Sequence, residues 1–276
     1  MTQDYKAIFT RIEDTLRRES SLSPELFDSR FGGFKNTSYK NMTDKEIFWV
    51  MVYVAFYSGM RASTVTQRLP AIKKYLYDFK VVKEYSHVEI EQIMNDPETI
   101  HYQLKIQGCI TNAKAFSCVL NKFGSFARYI GSYGALSNEK NIDRLRADLR
   151  GRFKFLGERT VNHFLTDLGI NVLKPDRVVC RILSRLELLH DENDTARAID
   201  VGKEIALATG YSIRYVDIIF VKYGQMGKDD YFGTEDGICL NKNPKCEKCG
   251  VSNYCKHHTT CRTTRKERSG LASYFS

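Results

Sequence analysis

Proline, tryptophan and long apolar runs are all scarce in this sequence of 276 residues. Tryptophan occurs once, and because only 5 prolines occur, few positions interrupt helices. No stretch approaches the roughly 20 apolar residues that span a bilayer, and we therefore expect no membrane segment. Residues 1–18 are charged throughout and lack the apolar region of a secretory signal peptide, which predicts a cytoplasmic protein.

Positive charge is in excess. Lys and Arg number 42 against 33 Asp and Glu, a net charge of +9 at pH 7, which favours a polyanionic partner such as nucleic acid.

Apolar residues recur at spacings of three and four through most of residues 1–225, which predicts an almost entirely α-helical body. Thr43 and Glu46 form a capping-box pattern that opens the apolar run Ile47–Tyr57, so we expect a central helix there. The polar stretch from Ser20 to Asn41 is predicted to be a connection.

Four of the eight cysteines lie close together near the C-terminal end. Cys239, Cys246, Cys249 and Cys255 have the spacing C-x6-C-x2-C-x5-C. In a reducing compartment such a cluster favours metal binding over disulfides, with four thiolates converging on one soft-metal centre. A zinc site would more often show two C-x2-C pairs separated by a longer loop. The compact, asymmetric spacing resembles the loop of endonuclease III-type DNA glycosylases, which implies a [4Fe–4S] cluster, with zinc as the minor alternative.

A very short turn at Phe155–Thr160 separates two helical patterns. It resembles the helix-hairpin-helix of DNA glycosylases, in which a Gly-containing hairpin presents backbone N–H groups to a DNA phosphate at the start of the second helix. The resemblance implies that Gly157, Arg159 and Thr160 contact DNA. Bifunctional members of that superfamily carry a nucleophilic Lys where Arg159 stands. A guanidinium stays protonated and cannot form a Schiff base, so we expect a monofunctional enzyme without efficient lyase activity.

The run from Lys174 to Leu186 matches the D-x-x-V-x-R-x-x-x-R-L pattern of the same superfamily. The match implies that Asp176 is the catalytic aspartate. A carboxylate suits this role because breaking an N-glycosidic bond develops positive, oxocarbenium-like charge on the sugar. The alternative is a helix N-terminal carboxylate that only complements the helix dipole.

Two further segments resemble 3-methyladenine DNA glycosylase I. Lys105–Phe116 follows its K-I-Q-x-x-I-x-N-A-x-A pattern, and Phe153–Gly157 follows its F-K-F-V-G run. The resemblance covers roughly Thr43–Leu186, whereas the cysteine loop belongs to a different branch. That family recognises the methylated purine with a Glu. Ile47–Met60 contains no acid here, and Val54 stands at about the position of that Glu.

A flipped nucleotide needs a wedge for the gap and aromatic walls for a pocket. Met60 matches the position of the intercalating residue, although core packing is an equal alternative. Tyr53 and Tyr57 are favoured for the pocket because they carry a hydroxyl, and Tyr102 is a further candidate. The cysteine loop also carries lysines that we expect to face phosphate, unless they are only a solvated surface: Lys242, Lys245 and Lys248.

The resemblance as a whole implies an all-α, two-lobed helix-hairpin-helix DNA glycosylase fold with a C-terminal iron–sulfur loop. The expected parts are an N-terminal helix and connection packing on the second lobe (1–42), a helical-barrel lobe ending in the hairpin (43–165), C-terminal helices with the catalytic Asp (166–228), the cluster loop (229–258) and a basic, flexible tail (259–276).

The resulting hypothesis is a monomeric, monofunctional DNA glycosylase of base excision repair, nucleoid-associated if bacterial. It would bind double-stranded DNA, flip a damaged or modified base, most readily an alkylated purine, and hydrolyse its glycosidic bond. One alternative keeps the fold but changes the substrate to another modified base, including hypermodified bases of foreign (phage) DNA. The alternative from another class is a non-catalytic protein that binds DNA structure.

Overall fold

A computed structural model describes residues 4–258 of the protein. The predicted basic tail, residues 259–276, lies outside the described residues. The α-helices of the described part are α1 (Tyr5–Glu19), α2 (Pro24–Gly32), α3 (Asp44–Tyr57), α4 (Ala62–Leu76), α5 (Phe79–Val82), α6 (His87–Asn95), α7 (Gln103–Phe123), α8 (Phe126–Gly131), α9 (Glu139–Arg152), α10 (Glu158–Asp167), α11 (Arg177–Arg185), α12 (Thr195–Thr209) and α13 (Ile213–Gly224).

The fold is all-helical, as the sequence predicts. Within residues 4–258 the β-structure is limited to one isolated bridge between Asp229 and Thr234. After α13 the chain forms short 3₁₀ turns at Cys246–Lys248 and Ser252–Tyr254, and residues 256–258 are helical. No helix among the described residues is long and apolar enough to cross a membrane.

Local capping explains where several helices begin. The predicted capping box at α3 is present, because Thr43 accepts from the N–H of Glu46 and the Glu46 carboxylate accepts in return from the Thr43 N–H. The prediction of a connection from Ser20 to Asn41 is wrong for Pro24–Gly32, which forms α2. Ser23 caps α2 and Pro24 occupies its first turn, where a missing N–H costs nothing, and Phe27 is fully buried beneath the helix.

The chain divides into two compact units. The terminal unit contains residues 4–36 and 173–258, and the central unit contains residues 37–172. In the terminal unit, α1 packs its apolar face against α12 and α13. Phe9 lies at the centre of this core. Its ring centroid is 6.0 Å from that of Tyr215 and 6.1 Å from that of Phe220. The cysteine loop packs against the same core through Val251, which is 2% exposed.

The central unit is built around α3, which packs against α4, α7, α8 and α10. Its core is rich in aromatic rings. Phe48 contacts Phe116 edge to face at 5.5 Å, and Phe116 stacks on Phe126 at 4.5 Å. Since α3 is enclosed on most sides, its C-terminal end at Tyr57 is held at a defined place within this unit.

Candidate active site

The helix-hairpin-helix consists of α9 and α10 joined by residues 153–157. The chain reverses at Phe155, whose φ is +63°, and the hydroxyl of Thr160 donates to the carbonyl of Phe155 at 2.7 Å. Gly157 is the N-cap residue of α10, and no side chain of the described residues caps this helix. The N–H groups of its first turn are therefore open to an anion, and the exposed Arg159 lies beside them.

One face of α7 holds the hairpin in place. The side-chain amide of Asn112 donates to the carbonyl of Lys154 at 3.0 Å, and its oxygen accepts from the Lys154 N–H at 2.7 Å. The ring of Phe155 lies against Gly108, where an added Cβ would come within 2.4 Å of the ring carbon Cε2. A residue larger than glycine at 108 would therefore force the ring of Phe155 to move.

The same face of α7 also holds the end of α3. Lys105 is only 2% exposed, and its Nζ donates to the carbonyls of Ala55, Phe56 and Ser58 at 2.8, 2.8 and 2.5 Å. These carbonyls carry the negative end of the helix dipole, which an ammonium group complements. Burial lowers the pKa of Lys105 to about 8.

The turn after α3 carries the predicted wedge. Gly59 adopts a φ of +73°, a conformation that favours glycine, and the N–H of Met60 donates to the carbonyl of Tyr57 at 3.3 Å. Met60 itself is half-buried, so the turn presents part of its side chain. Lys105 and the turn are joined directly through the carbonyl of Ser58, and the exposed Tyr102 lies over the same ammonium group, its ring centre 5.4 Å from Nζ.

The predicted pocket residues of α3 lie along one side of the helix. Trp49, Tyr53 and Tyr57 follow one another at every fourth position, are half-buried, and meet edge to face at centroid distances of 5.8 and 6.2 Å. The hydroxyl of Tyr57 is 2.9 Å from Oγ1 of Thr66 on α4. Val54, at the place of the missing acid, is fully buried and faces away from this aromatic side of the helix.

Asp176 begins α11 as its N-cap residue. Its Oδ1 accepts from the N–H groups of Val178 and Val179, both at 2.9 Å, and Oδ2 lies 3.4 Å from Nζ of Lys174. The side chain is 25% exposed. The carboxylate is therefore a true helix cap, but only one of its oxygens is used for capping, and the other remains beside a cation at a partly open position.

The four cysteines of the loop line a common cavity, together with Arg185, Ile238 and His257. Arg185 donates to Sγ of Cys239 at 3.3 Å, and the hydroxyl of Tyr223 donates to Sγ of Cys249 at 3.0 Å. Burial raises the pKa of the Cys239 thiol, and the guanidinium of Arg185 acts in the opposite direction. Hydrogen bonds of this kind stabilise thiolate ligands of a metal centre.

Among residues 4–258, no three His, Cys, Asp or Glu side chains are placed to hold one metal ion. The four cysteines nevertheless fit a [4Fe–4S] cluster. Each of the four irons in such a cluster is bound by one thiolate, so the thiolates surround a common cavity and do not meet at a single ion. The loop is tied to the terminal unit by Arg181, which is 7% exposed and donates to the carbonyls of Gly224 and Cys239.

The lysines of the loop differ in their surroundings. Nζ of Lys248 forms an ion pair with Glu19 at 2.8 Å, and Nζ of Lys245 donates to the carbonyl of Asp236 at 3.0 Å. Lys242 is exposed. The charge of Lys248 is thus partly neutralised by the protein itself, and Lys242 presents its ammonium group to solvent most directly.

Sequence reasoning missed the buried polar residues that organise the central unit. Lys105 and Asn112 belong to the segment Lys105–Phe116, which matches a family pattern, but the pattern alone indicates no contact for either side chain. His163 and Asp167 were also missed, although they lie one helical turn apart on α10, with Nε2 3.4 Å from Oδ2. A usable signal was present for Lys105 and Asn112, because both occur on a face of α7 that otherwise carries Gly108, Cys109 and Phe116.

An all-helical chain with an open helix-hairpin-helix and an aspartate at the start of a following helix has the organisation of a DNA glycosylase. Residues 35–174, about half of the chain, match the sequence profile of the methyladenine glycosylase family. The chain belongs to this family, and it is a DNA glycosylase.

Solved structures of DNA glycosylases are also similar to it. The 3-methyladenine DNA glycosylase I of Staphylococcus aureus is 18% identical with a TM-score of 0.44, covering 56% of this chain and 91% of that chain. The 8-oxoguanine DNA glycosylase of Thermotoga maritima is 16% identical with a TM-score of 0.48, covering 78% of this chain and 95% of that chain.

Proposed function

We propose that the protein is a monofunctional glycosylase that removes an alkylated purine, such as 3-methyladenine, from double-stranded DNA by hydrolysis of the N-glycosidic bond. The observation that carries this proposal is the state of Asp176. Two backbone N–H groups hold Oδ1 in one orientation, while Oδ2 stays partly open beside Lys174. A carboxylate held in this way is oriented before any substrate arrives, which is the condition for electrostatic catalysis.

Each group has a distinct part in this reaction. Cleavage of the bond between the base and the sugar leaves the electron pair on the base and positive charge on the sugar. Asp176 stabilises that charge and orients the attacking water, whose oxygen bonds to the sugar carbon while its proton passes to the carboxylate. An alkylated purine that carries a positive charge leaves as a neutral base, so it needs no strong acid to protonate it.

DNA binding follows from the exposed groups. The open N–H groups after Gly157 bind one phosphate, with Arg159 and Thr160 beside it. Met60 fills the gap left by the flipped nucleotide, and Lys242 adds a phosphate contact from the cysteine loop. Lys245 and Lys248 add a weaker attraction, because both already have partners within the protein.

We infer that Cys239, Cys246, Cys249 and Cys255 hold a [4Fe–4S] cluster. When bound, the cluster supplies a covalent staple for a loop that has few apolar residues of its own. Analysis of the purified protein for iron, sulfide and zinc tests this inference, together with a visible absorption spectrum. About four irons and four sulfides per chain support it. Stoichiometric zinc in a colourless protein would replace it with the zinc alternative.

The absence of lyase activity is proposed from Arg159, whose guanidinium cannot form a Schiff base. Incubation with DNA containing an abasic site, followed by borohydride, tests this point. We expect no covalent protein–DNA adduct and no strand cleavage above background. A trapped adduct would show that another amine serves as nucleophile.

The substrate is tested by mass spectrometry of bases released from alkylated, oxidised, deaminated and hypermodified DNA. We expect 3-methyladenine or a related cationic purine to be released fastest. One observation favours a second candidate, a different modified base: Val54 is fully buried and residues 47–60 include no acid, so this segment supplies no carboxylate to recognise adenine. Preferential release of a hypermodified base would support that candidate, and release of no base would support a non-catalytic protein.

A further inference from the structure

The turn that carries Met60 projects beyond the packed end of α3. Gly59 is exposed, and apart from its chain neighbours a Cβ added to it would meet no described atom within 4 Å. The chain leaves α3 through hydrogen bonds from the Ser58 N–H to the carbonyl of Val54 at 3.2 Å and from the Met60 N–H to the carbonyl of Tyr57 at 3.3 Å. Both distances are at the long end of the normal range, so these two bonds alone hold the turn weakly.

Lys105 supports the turn from α7. Its Nζ donates to the carbonyl of Ser58 at 2.5 Å and to the carbonyls of Ala55 and Phe56, both at 2.8 Å. An ammonium group has three N–H donors, and here three carbonyls accept from it. Two of these carbonyls belong to the last turn of α3 and the third lies beyond the helix. One buried charge therefore ties the Met60 turn to the end of the helix.

The same part of α7 also contacts the hairpin. The ring centre of Phe155, the residue at which the hairpin reverses, is 5.9 Å from Nζ of Lys105. That ring lies against Gly108, three positions after Lys105. A cation within about 6 Å of an aromatic ring centre is attracted to the ring, most strongly where water is excluded. Lys105 is 2% exposed, so its charge acts on both the Met60 turn and the hairpin from a position that excludes water.

We propose that Lys105 is a positioning residue for Met60. Through the carbonyl of Ser58 it holds the Met60 turn at a set distance from the hairpin, so that Met60 enters the gap in a duplex whose phosphate is bound after Gly157. Without that bond the hairpin still binds the phosphate, but the turn moves and Met60 fills the gap poorly. This inference rests on the proposed roles of Met60 and the hairpin in DNA binding, and it does not depend on which base is released.

The test compares the affinities of the full-length protein for two duplexes of one sequence. One contains tetrahydrofuran, a stable analogue of an abasic nucleotide, and the other is intact. A missing base leaves a gap that Met60 can fill, so we expect the wild type to prefer the tetrahydrofuran duplex. In Lys105→Met the ratio of the two affinities is expected to fall about tenfold, while affinity for the intact duplex stays within about twofold. A variant that only loses folded protein lowers both affinities alike and leaves their ratio unchanged.

A double-mutant cycle shows whether Lys105 acts through Met60. Met60→Ala alone is expected to lower the ratio about tenfold, since the shorter side chain cannot fill the gap. If Lys105 acts through Met60, the double variant loses no more than Met60→Ala does, because Lys105 then has nothing left to position. Additive losses in the double variant would overturn the inference.

Two further variants complete the experiment. Lys105→Gln keeps a neutral donor, but its shorter side chain cannot reach three carbonyls, so the ratio is expected to fall in the same direction. It carries the same cycle if Lys105→Met does not fold. The matched control is Lys114→Met, which removes an exposed lysine from the same helix. The lost charge lowers both affinities alike, so the ratio is expected to equal that of the wild type. An equal fall in the control would count against the inference.

Different results separate this inference from the proposed function. If Met60→Ala lowers the ratio and the variants of Lys105 keep it, Met60 fills the gap without Lys105 and the inference is overturned. If Met60→Ala itself keeps the wild-type ratio, or if the wild type does not prefer the tetrahydrofuran duplex, Met60 is not the wedge. That part of the proposed function then fails, and the inference fails with it.

Discussion

Asn112 and Lys154 form a reciprocal pair in which one side-chain amide satisfies both backbone groups of a single hairpin residue. Nδ2 of Asn112 donates to the carbonyl of Lys154 at 3.0 Å, and the Lys154 N–H donates to Oδ1 at 2.7 Å. Asn112 is 1% exposed, so water cannot replace either bond. The pair therefore determines where the hairpin lies relative to α7.

Asn112→Asp tests this positioning. The carboxylate still accepts from the Lys154 N–H but cannot donate to its carbonyl, so two acceptors face each other in a buried place. We expect the free energy of unfolding to fall by about 1–3 kcal/mol and DNA affinity to fall with it. Denaturant unfolding and fluorescence anisotropy with labelled DNA measure the two effects.

Asn141→Asp is the control for that variant. Asn141 also donates to a backbone carbonyl, that of Ala135 at 3.0 Å, but at a more exposed position away from the hairpin. It is expected to lose less stability and to bind DNA normally. Equal losses in the two variants would contradict a specific role for Asn112.

Asp176→Asn separates the charge of this residue from its capping function. The amide oxygen of Asn can still accept from the N–H groups of Val178 and Val179, so α11 is expected to stay capped. We expect base release to slow by about a hundredfold or more while DNA affinity stays within about twofold. Single-turnover kinetics measure the first quantity and anisotropy the second.

Two further variants complete that experiment. Asp176→Ala removes the cap as well and is expected to lose about 1 kcal/mol of stability in addition. Asp194 caps α12 by accepting from the Arg197 N–H at 3.0 Å, so Asp194→Asn repeats the same chemical change elsewhere. It is expected to keep full activity. Full activity in Asp176→Asn would rule out the proposed mechanism.

Arg185→Met tests the contact between α11 and the cysteine loop. The variant loses donation to Sγ of Cys239 at 3.3 Å and to the carbonyl of Leu240 at 2.7 Å. We expect a bound cluster to be lost several-fold faster in the presence of an iron chelator, because a thiolate ligand loses its charged partner. The decay of visible absorption measures the rate. Arg177→Met, an exposed position on the same helix, is the control, and equal decay rates would contradict the prediction.

The pH dependence of stability tests the buried ammonium of Lys105. Its pKa falls from 10.5 in the unfolded chain to about 8 in the folded protein because of burial. Between these values the unfolded chain binds more protons, so the free energy of unfolding rises with pH across this interval. Relative to Lys105→Met, which cannot titrate, we expect a gain on the order of 3 kcal/mol between pH 7.5 and pH 10.5. Thermal unfolding of both proteins at several pH values measures it, and parallel pH profiles would contradict the assignment.

Much of the local structure was predictable because its causes lie within a few residues. The capping box at Thr43 and Glu46 and the apolar run after it predicted α3, and both are present. The stretch from Ser20 to Asn41 was predicted wrongly, since its polar composition concealed a helix that depends on burial of Phe27 and Phe31. Tertiary contact stabilises α2 more than its own sequence does.

The residues of the candidate site were predictable from motifs, but their contacts with one another were not. Motif matching named Asp176, the hairpin and the four cysteines, and these assignments stay predictions for experiment. The tyrosines at 53 and 57 were chosen for their hydroxyl groups alone. The structure adds their common side of the helix and the imidazole of His163 beside them, which no local pattern indicated.

By itself, the sequence determined the helical class, the start of α3 and the resemblance to the family, because capping, apolar spacing and short motifs act over a few neighbouring residues. Only the tertiary structure decided what the buried polar groups do. Lys105 meets the carbonyl of Ala55, 50 positions earlier, and Asn112 meets Lys154, 42 positions later. Such partners come together only when helices pack, and burial then makes each polar contact specific, since an unpaired charge or amide in the core is strongly disfavoured.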